Sequence, residues 1–198
     1  MYTLIGSTKT RAVRVAWMLE ELGLDYKYVE ALPQSEPVTQ HYAPGKIPVL
    51  LDGDTVLTDS VAIMTYLADK HGGLTFPAGT LQRAIQDGHT QFINEEMDGL
   101  LWVGAKHTFV LPKERRVEGV KPAMAWEYER SLERFEARLG DGPYLMGETL
   151  TVPDLLAAHC HRWAVVAKFP EPTPQLEAYF KGLRERDAFK RATSRQPD

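Results

Sequence analysis

The sequence predicts an α/β domain followed by an all-α domain. In residues 1–77, short β-prone runs alternate with segments whose apolar residues recur at helical spacing. Beyond residue 78 the β-prone runs almost vanish and long helical patterns take over. The composition fits such a chain: 198 residues, 43% hydrophobic and 25% charged, is globular usage with enough length to bury a core without staples.

Each element has a local reason. Residues 2–5 form a β-prone run that ends at Gly6-Ser7. From Thr10 to Leu22, the residues Val15, Met18, Leu19 and Leu22 repeat at helical spacing, with Glu20 and Glu21 opposite and Gly23 as a stop. Residues 26–31 alternate as a strand does and end before Pro33. A polar stretch with Pro37 and Pro44 follows and gives only a weak helix. Residues 49–51 and 55–57 read as two strands joined at Asp52-Gly53-Asp54, a hairpin turn signal. From Ser60, Ala62, Ile63, Tyr66 and Leu67 return to helical spacing up to His71-Gly72-Gly73. The order β-α-β-α-β-β-α implies a mixed sheet with helices packed on it.

Phe76-Pro77-Ala78-Gly79 opens a linker, expected over 78–84, and a helical domain is expected over 85–198. Residues 81–107 and 121–139 are long helical patterns separated by a break at Pro112. Thr151-Val-Pro-Asp154 is a capping box variant opening a helix to Val166, with Pro153 tolerated in the first turn and Leu150 and Leu155 at staple spacing. One last helix is expected over 175–191, ending in a frayed tail.

Charge and cysteine usage narrow the function. With 27 acids against 23 bases the net charge is −4, which excludes a generally basic nucleic-acid binder. No apolar run approaches the ~18 residues a membrane span needs, and the bases at the N-terminus follow the apolar stretch instead of preceding it, the reverse of a secretory signal. Cys160 is the one cysteine, so there is no internal disulfide. These features read as a soluble, cytoplasmic protein without nucleic-acid or membrane partners. No metal site is expected: His159 and His161 sit two apart on a helix and diverge, and no other metal-ligand spacing occurs. Cys160 reads as a small buried hydrophobe, and Glu95, Glu96 and Asp98 as a solvated acidic face.

Four features of the first domain converge on one rim of its sheet. Ser7 lies between the first strand and the first helix, with Thr10 close behind; Lys46-Ile47-Pro48 leads into a strand; Asp59-Ser60 opens a helix. Strand ends and helix starts are where ligands bind in α/β folds. Each residue also has a plain reading, Ser7, Thr10, Asp59 and Ser60 as helix caps and Pro48 as an ordinary edge proline.

Together, Ser7-Thr-Lys-Thr-Arg11, Gly45-Lys-Ile-Pro-Val-Leu50, Thr58-Asp-Ser-Val-Ala-Ile63 and Leu150-Thr-Val-Pro-Asp154 resemble the cytosolic glutathione transferase family over nearly the whole chain. Ser7, four residues before Arg11, looks like the serine-type theta and zeta enzymes. Thr10 falls near the position where beta-type enzymes carry cysteine and nu-type enzymes threonine. The resemblance implies a thioredoxin-like domain followed by a helical domain, glutathione as co-substrate with no metal, a small electrophile as second substrate, and a homodimer. It also implies a cis Pro48 that presents the Ile47 backbone to the cysteinyl unit of glutathione. Lys46 would face the glycine carboxylate, Ser60 the γ-glutamyl carboxylate at a helix start that favours anions, and Asp59 the γ-glutamyl amine.

The thiolate is the nucleophile, and a hydroxyl donating to sulfur lowers the thiol pKa. Ser7 is the first candidate donor and Thr10 the second; Arg11 adds positive field or is simply a solvated helix residue. Trp102, His107, Phe109 and Trp163 are candidate walls for the electrophile between the sheet rim and the first helices of the second domain, with core packing as the alternative. Tyr2, Trp17 and Trp126 are assigned to packing. Two other functions stay open: a nu-like disulfide reductase or peroxidase using Thr10, and a non-catalytic interaction or carrier protein on the same fold.

Overall fold

The computed structural model describes residues Met1–Asp198. They form two compact units, one of Met1–Pro77 together with Arg184–Asp198, the other of Ala78–Leu183. The thioredoxin-like and all-helical architectures expected from the sequence are both present.

In the first unit β1 (Tyr2–Gly6), α1 (Ala12–Glu21), β2 (Tyr26–Glu30), α2 (Glu36–Thr39), β3 (Val49–Asp52), β4 (Thr55–Thr58) and α3 (Ser60–His71) follow one another. The sheet order is β2-β1-β3-β4, with β1 and β2 parallel and the other pairs antiparallel. The polar stretch between β2 and β3 yields a single turn of helix, α2. β1 is buried at Tyr2, Leu4 and Ile5, and α1 is buried along its whole apolar run from Ala12 to Leu19. Below the rim, Ile5, Ala31, Val38 and Val49 pack together with Val29, Tyr42, Ile47 and Leu51 against them.

The tail departs from expectation. The helix expected over 175–191 is two, α8 (Pro174–Arg184) and α9 (Asp187–Ser194), broken at Glu185-Arg186, and α9 packs on α1 in the first unit instead of fraying. Charge and ring packing explain this: Arg186 makes a two-pronged ion pair with Glu21, Arg191 pairs with Glu20 at 2.7 Å, and Phe189 meets Trp17 edge-on. Glu20 and Glu21, opposite the apolar residues of α1, are the docking sites of the tail.

In the second unit, α4 (Leu81–Ile93) starts inside the expected linker because Thr80 caps it, its hydroxyl accepting from the Arg83 N–H at 3.2 Å. The helix continues through a π-helical turn, Asn94–Gly99, into α5 (Leu100–Ala105) and a second π-helical turn, Lys106–Val110. α6 (Val120–Leu139) and α7 (Val152–Ala167) complete the unit with α8. The capping box at the head of α7 is closed from both sides. Its Asp154 carboxylate accepts from Thr151 N–H at 2.8 Å and Thr151 Oγ1–H at 3.0 Å. The same carboxylate accepts from Leu145 N–H and from the Tyr179 hydroxyl, each at 2.8 Å. No helix of the protein is long and apolar enough to cross a membrane.

Candidate functional site

Strand register brings three loops to one end of the sheet. Ile5 faces Val49, and Val49 faces Thr58. One step beyond that row lie Gly6-Ser7, Pro48 and Asp59-Ser60. A Cβ on Gly6 would fall 2.9 Å from Ala12 Cβ and 3.3 Å from Ile47 Cβ, so glycine is required for the first two loops to approach. The Ile47–Pro48 peptide is cis. The segment before it is locked at Gly45, whose backbone has φ +66° and whose missing Cβ leaves room for the Gln34 side chain. Gln34 in turn donates to the Pro44 carbonyl at 2.8 Å. Lys46, next in sequence, is exposed.

Ser7 opens the turn into α1. Its hydroxyl oxygen accepts from the Lys9 N–H at 3.3 Å, and its carbonyl accepts from the Thr10 N–H at 2.9 Å and the Thr10 hydroxyl at 2.7 Å. Thr10 Oγ1 also accepts from the Ala12 N–H at 3.3 Å. The two hydroxyls therefore differ: the Thr10 proton is committed to the Ser7 carbonyl, whereas the Ser7 oxygen is engaged only as an acceptor. Arg11 precedes α1 and is partly exposed.

At the third loop Asp59 caps α3, one carboxylate oxygen accepting from Val61 N–H at 2.9 Å and Ala62 N–H at 3.1 Å. These bonds offset its φ of +69°, which for a non-glycine residue costs on the order of 1 kcal/mol or more. The Ile63 N–H is taken by the Asp59 carbonyl, which completes the first turn of the helix. The capping reading of Asp59 thus holds, and Ser60 is the first residue of the helix it caps.

Sequence reasoning missed Arg14. It sits in the apolar run of α1, is 1% exposed, and donates from Nη1 to Ser60 Oγ at 3.2 Å. A guanidinium is never neutral in a protein, so a fixed positive charge stands behind the start of α3. The one available signal was an arginine at a core position of an otherwise apolar helix.

The second unit treats its candidates unequally. Trp102 is 36% exposed and Phe109 66%, while His107 accepts from the Val117 N–H at 3.1 Å through Nδ1. These three share one continuous helical stretch. Trp163 turns its ring edge to His159, a turn earlier on α7. Trp126 is not packed in the core as expected; it is exposed under the Arg130 guanidinium. His159 and His161 diverge as their spacing requires, His161 stacking on Phe180 at 4.4 Å with Nε2 3.0 Å from Glu177. The acidic face is corrected at Asp98, which is buried in a π-helical turn; its carboxylate lies with His159 and Cys160, their ligand atoms all within 4.8 Å of one another. Three groups that could hold a metal ion therefore meet where the sequence offered no such spacing.

Known protein families match the chain in both of its halves. The model of the glutathione S-transferase N-terminal domain matches residues 8–75, and that of the C-terminal domain matches residues 101–187. Glutathione S-transferase Z2 of Arabidopsis thaliana is 29% identical over 216 residues, covering 100% of this chain and 92% of its own. Human glutathione S-transferase theta-2 is 30% identical over 164 residues, covering 76% of this chain and 65% of its own. The theta class enzyme of Xanthomonas axonopodis pv. citri, solved with glutathione bound, superposes with a TM-score of 0.78 at 25% identity over 98% of both chains. With both of its domains matched by that family and its fold shared with a solved member, the chain belongs to the glutathione S-transferases.

Proposed function

We propose that the protein joins the thiolate of glutathione to a small hydrophobic electrophile, with Ser7 stabilising the sulfur anion. The observation that carries this reading is the difference between the two hydroxyls of the α1 turn. Ser7 keeps its proton to donate to sulfur, and Thr10 has already spent its own on the Ser7 carbonyl. That difference favours Ser7 over the nu-like alternative.

Glutathione is held by groups on the three loops. Lys46 meets the glycine carboxylate, the Ile47 backbone pairs with the cysteinyl unit as an added strand would, and Asp59 meets the γ-glutamyl amine. Ser60 gives its N–H and hydroxyl to the γ-glutamyl carboxylate. Its hydroxyl oxygen accepts from Arg14, which leaves its own proton for the ligand. A free thiol has a pKa of about 8.5; a hydrogen bond from Ser7 lowers it, and the proton leaves to solvent. The thiolate then forms the S–C bond, and the electron pair departs with the leaving group or moves onto the acceptor. Trp102, His107 and Phe109 are proposed to face the electrophile, with Arg11 adding positive field near sulfur. Trp163, turned to His159, is the weakest member of that set. A homodimer and a cytoplasmic location belong to the same proposal by analogy with the family.

The test is calorimetric titration with reduced glutathione, paired with the pH dependence of thiolate absorbance in the complex. Ser7→Ala is expected to raise the bound-thiol pKa by about one unit, tenfold less thiolate at a pH well below it, while Thr10→Ala leaves it within a few tenths. An unchanged pKa in Ser7→Ala overturns the assignment. If wild type binds no glutathione, a non-catalytic role replaces it.

A further inference from the structure

β2 is an outer strand, paired on one side only with β1. In an outer strand alternate residues turn both backbone groups away from the sheet. Here Tyr26 and Tyr28 carry such groups, and the segment Arg195–Asp198 takes three of them. Arg195 Nη2 donates to the Tyr26 carbonyl at 2.9 Å, the Asp198 N–H donates to the Tyr28 carbonyl at 3.0 Å, and the Tyr28 N–H donates to the Asp198 carboxylate. The tail is thus a strap along the free edge of the sheet, centred on Tyr28.

Tyr28 is 1% exposed, and its phenol oxygen accepts from the Thr8 N–H at 3.2 Å. That N–H and the Ser7 carbonyl belong to one peptide unit, which is planar. The carbonyl end of the unit already accepts two donors from Thr10. The peptide plane after Ser7 is therefore pinned at both ends, by Tyr28 on one side and Thr10 on the other. A pinned plane fixes the position of the Ser7 Cα, and the Lys9 N–H, donating to Ser7 Oγ at 3.3 Å, holds the rotamer of the hydroxyl it carries.

We infer that Tyr28 is a positioning residue for thiolate formation: held by the Arg195–Asp198 strap, its phenol oxygen fixes the Ser7–Thr8 peptide and so aims the Ser7 hydroxyl at the sulfur. The inference rests on Ser7 being the thiol-activating hydroxyl. It explains why a segment 170 residues away in sequence is fastened to β2 at that residue. Hydrogen bonds weaken steeply as their angle degrades, so a loosened plane loses thiolate stabilisation without touching Lys46, Asp59 or Ser60.

The experiment compares wild type, Ser7→Ala, Tyr28→Phe and the double variant Arg195→Ala/Asp198→Ala by thiolate absorbance against pH in the glutathione complex, with calorimetric affinity for glutathione on each. Tyr28→Phe keeps the ring and removes only the hydroxyl, and with it the acceptor for the Thr8 N–H. It is expected to raise the bound-thiol pKa by about half a unit, roughly threefold less thiolate at a pH well below it, with glutathione affinity within twofold of wild type. The strap variant shifts it the same way by about half as much. If Ser7→Ala raises the pKa and neither other variant does, the Tyr28 role is overturned while the Ser7 reading stands. If Ser7→Ala itself leaves the pKa unmoved, the Ser7 reading falls and takes the inference with it. Should Tyr28→Phe fail to fold, the strap variant decides alone, and an unshifted pKa there overturns the proposal.

Discussion

Arg14 Nη1 donates to Ser60 Oγ at 3.2 Å, joining the middle of α1 to the first turn of α3. Both residues are buried, so the contact is shielded from solvent and salt. It sets a permanent positive charge behind the donor proposed to hold the γ-glutamyl carboxylate, where the helix dipole already favours an anion.

Arg14→Met is expected to weaken glutathione binding about tenfold, near 1.4 kcal/mol, and Arg14→Lys by less. Calorimetric titration measures it. Wild-type affinity in Arg14→Met means that the buried charge serves the fold and not the anion.

The Asp154 carboxylate accepts four hydrogen bonds, from Leu145, Thr151 twice, and Tyr179. It is fully buried, and truncating it leaves those donors without an acceptor. Asp154→Ala should cost about 3–5 kcal/mol of stability, the range for stripping one partner from a buried charged network. Urea unfolding followed by far-UV circular dichroism checks this; a loss under about 1 kcal/mol would mean that water replaces the bonds.

His89 on α4 is buried with Nδ1 lacking a partner. Burial, and then the charge of Arg138, hold its pKa below 6.5. The folded protein keeps it neutral, while the unfolded chain takes up a proton below about pH 6.5. Its contribution to stability is therefore present above that pH and is lost as the pH falls toward the lowered folded value. His89→Gln should flatten the acid side of the stability profile relative to wild type. Unfolding free energies at pH 7.5, 6.0 and 5.0 give the comparison, and parallel profiles would place the acid sensitivity elsewhere.

Glu21 receives Arg186 through both carboxylate oxygens, at 2.6 and 2.8 Å, and also Trp17 Nε1 at 2.9 Å. Glu21→Ala should release α9 from α1 and expose cleavage after Arg186, Lys190 and Arg191. Limited trypsin digestion is expected to trim the tail several-fold faster than in wild type. Equal rates would mean that the Trp17–Phe189 contact suffices to hold it.

The site was legible in part. The residues proposed to face a ligand through the backbone or a loop, Ser7, Lys46, Pro48, Asp59 and Ser60 among them, sit next to strand ends and helix starts, so their positions follow from local pattern. Arg14 lies inside a helix, and nothing local distinguishes a charge turned into the core from one turned to water. Asp98 was misread for the same reason: neighbours in sequence share a charge pattern but not a burial. Thr10 was ambiguous until its hydrogen bond to the Ser7 carbonyl was seen.

By itself the sequence determined the mixed sheet, the change to helices after residue 78, the capping box at Thr151 and the rim where the candidate residues gather. These depend on contacts a few residues long: alternation, helical spacing, turn residues and caps. Tertiary structure decided where the tail goes, which arginine stands behind Ser60, and which hydroxyl keeps its proton. Those outcomes depend on ion pairs and hydrogen bonds between residues far apart in the chain. In sequence Glu20 and Glu21 are only the side of α1 opposite its apolar residues; Arg186 and Arg191 close on them because the partner of a charge is set by the fold and not by its neighbours in sequence.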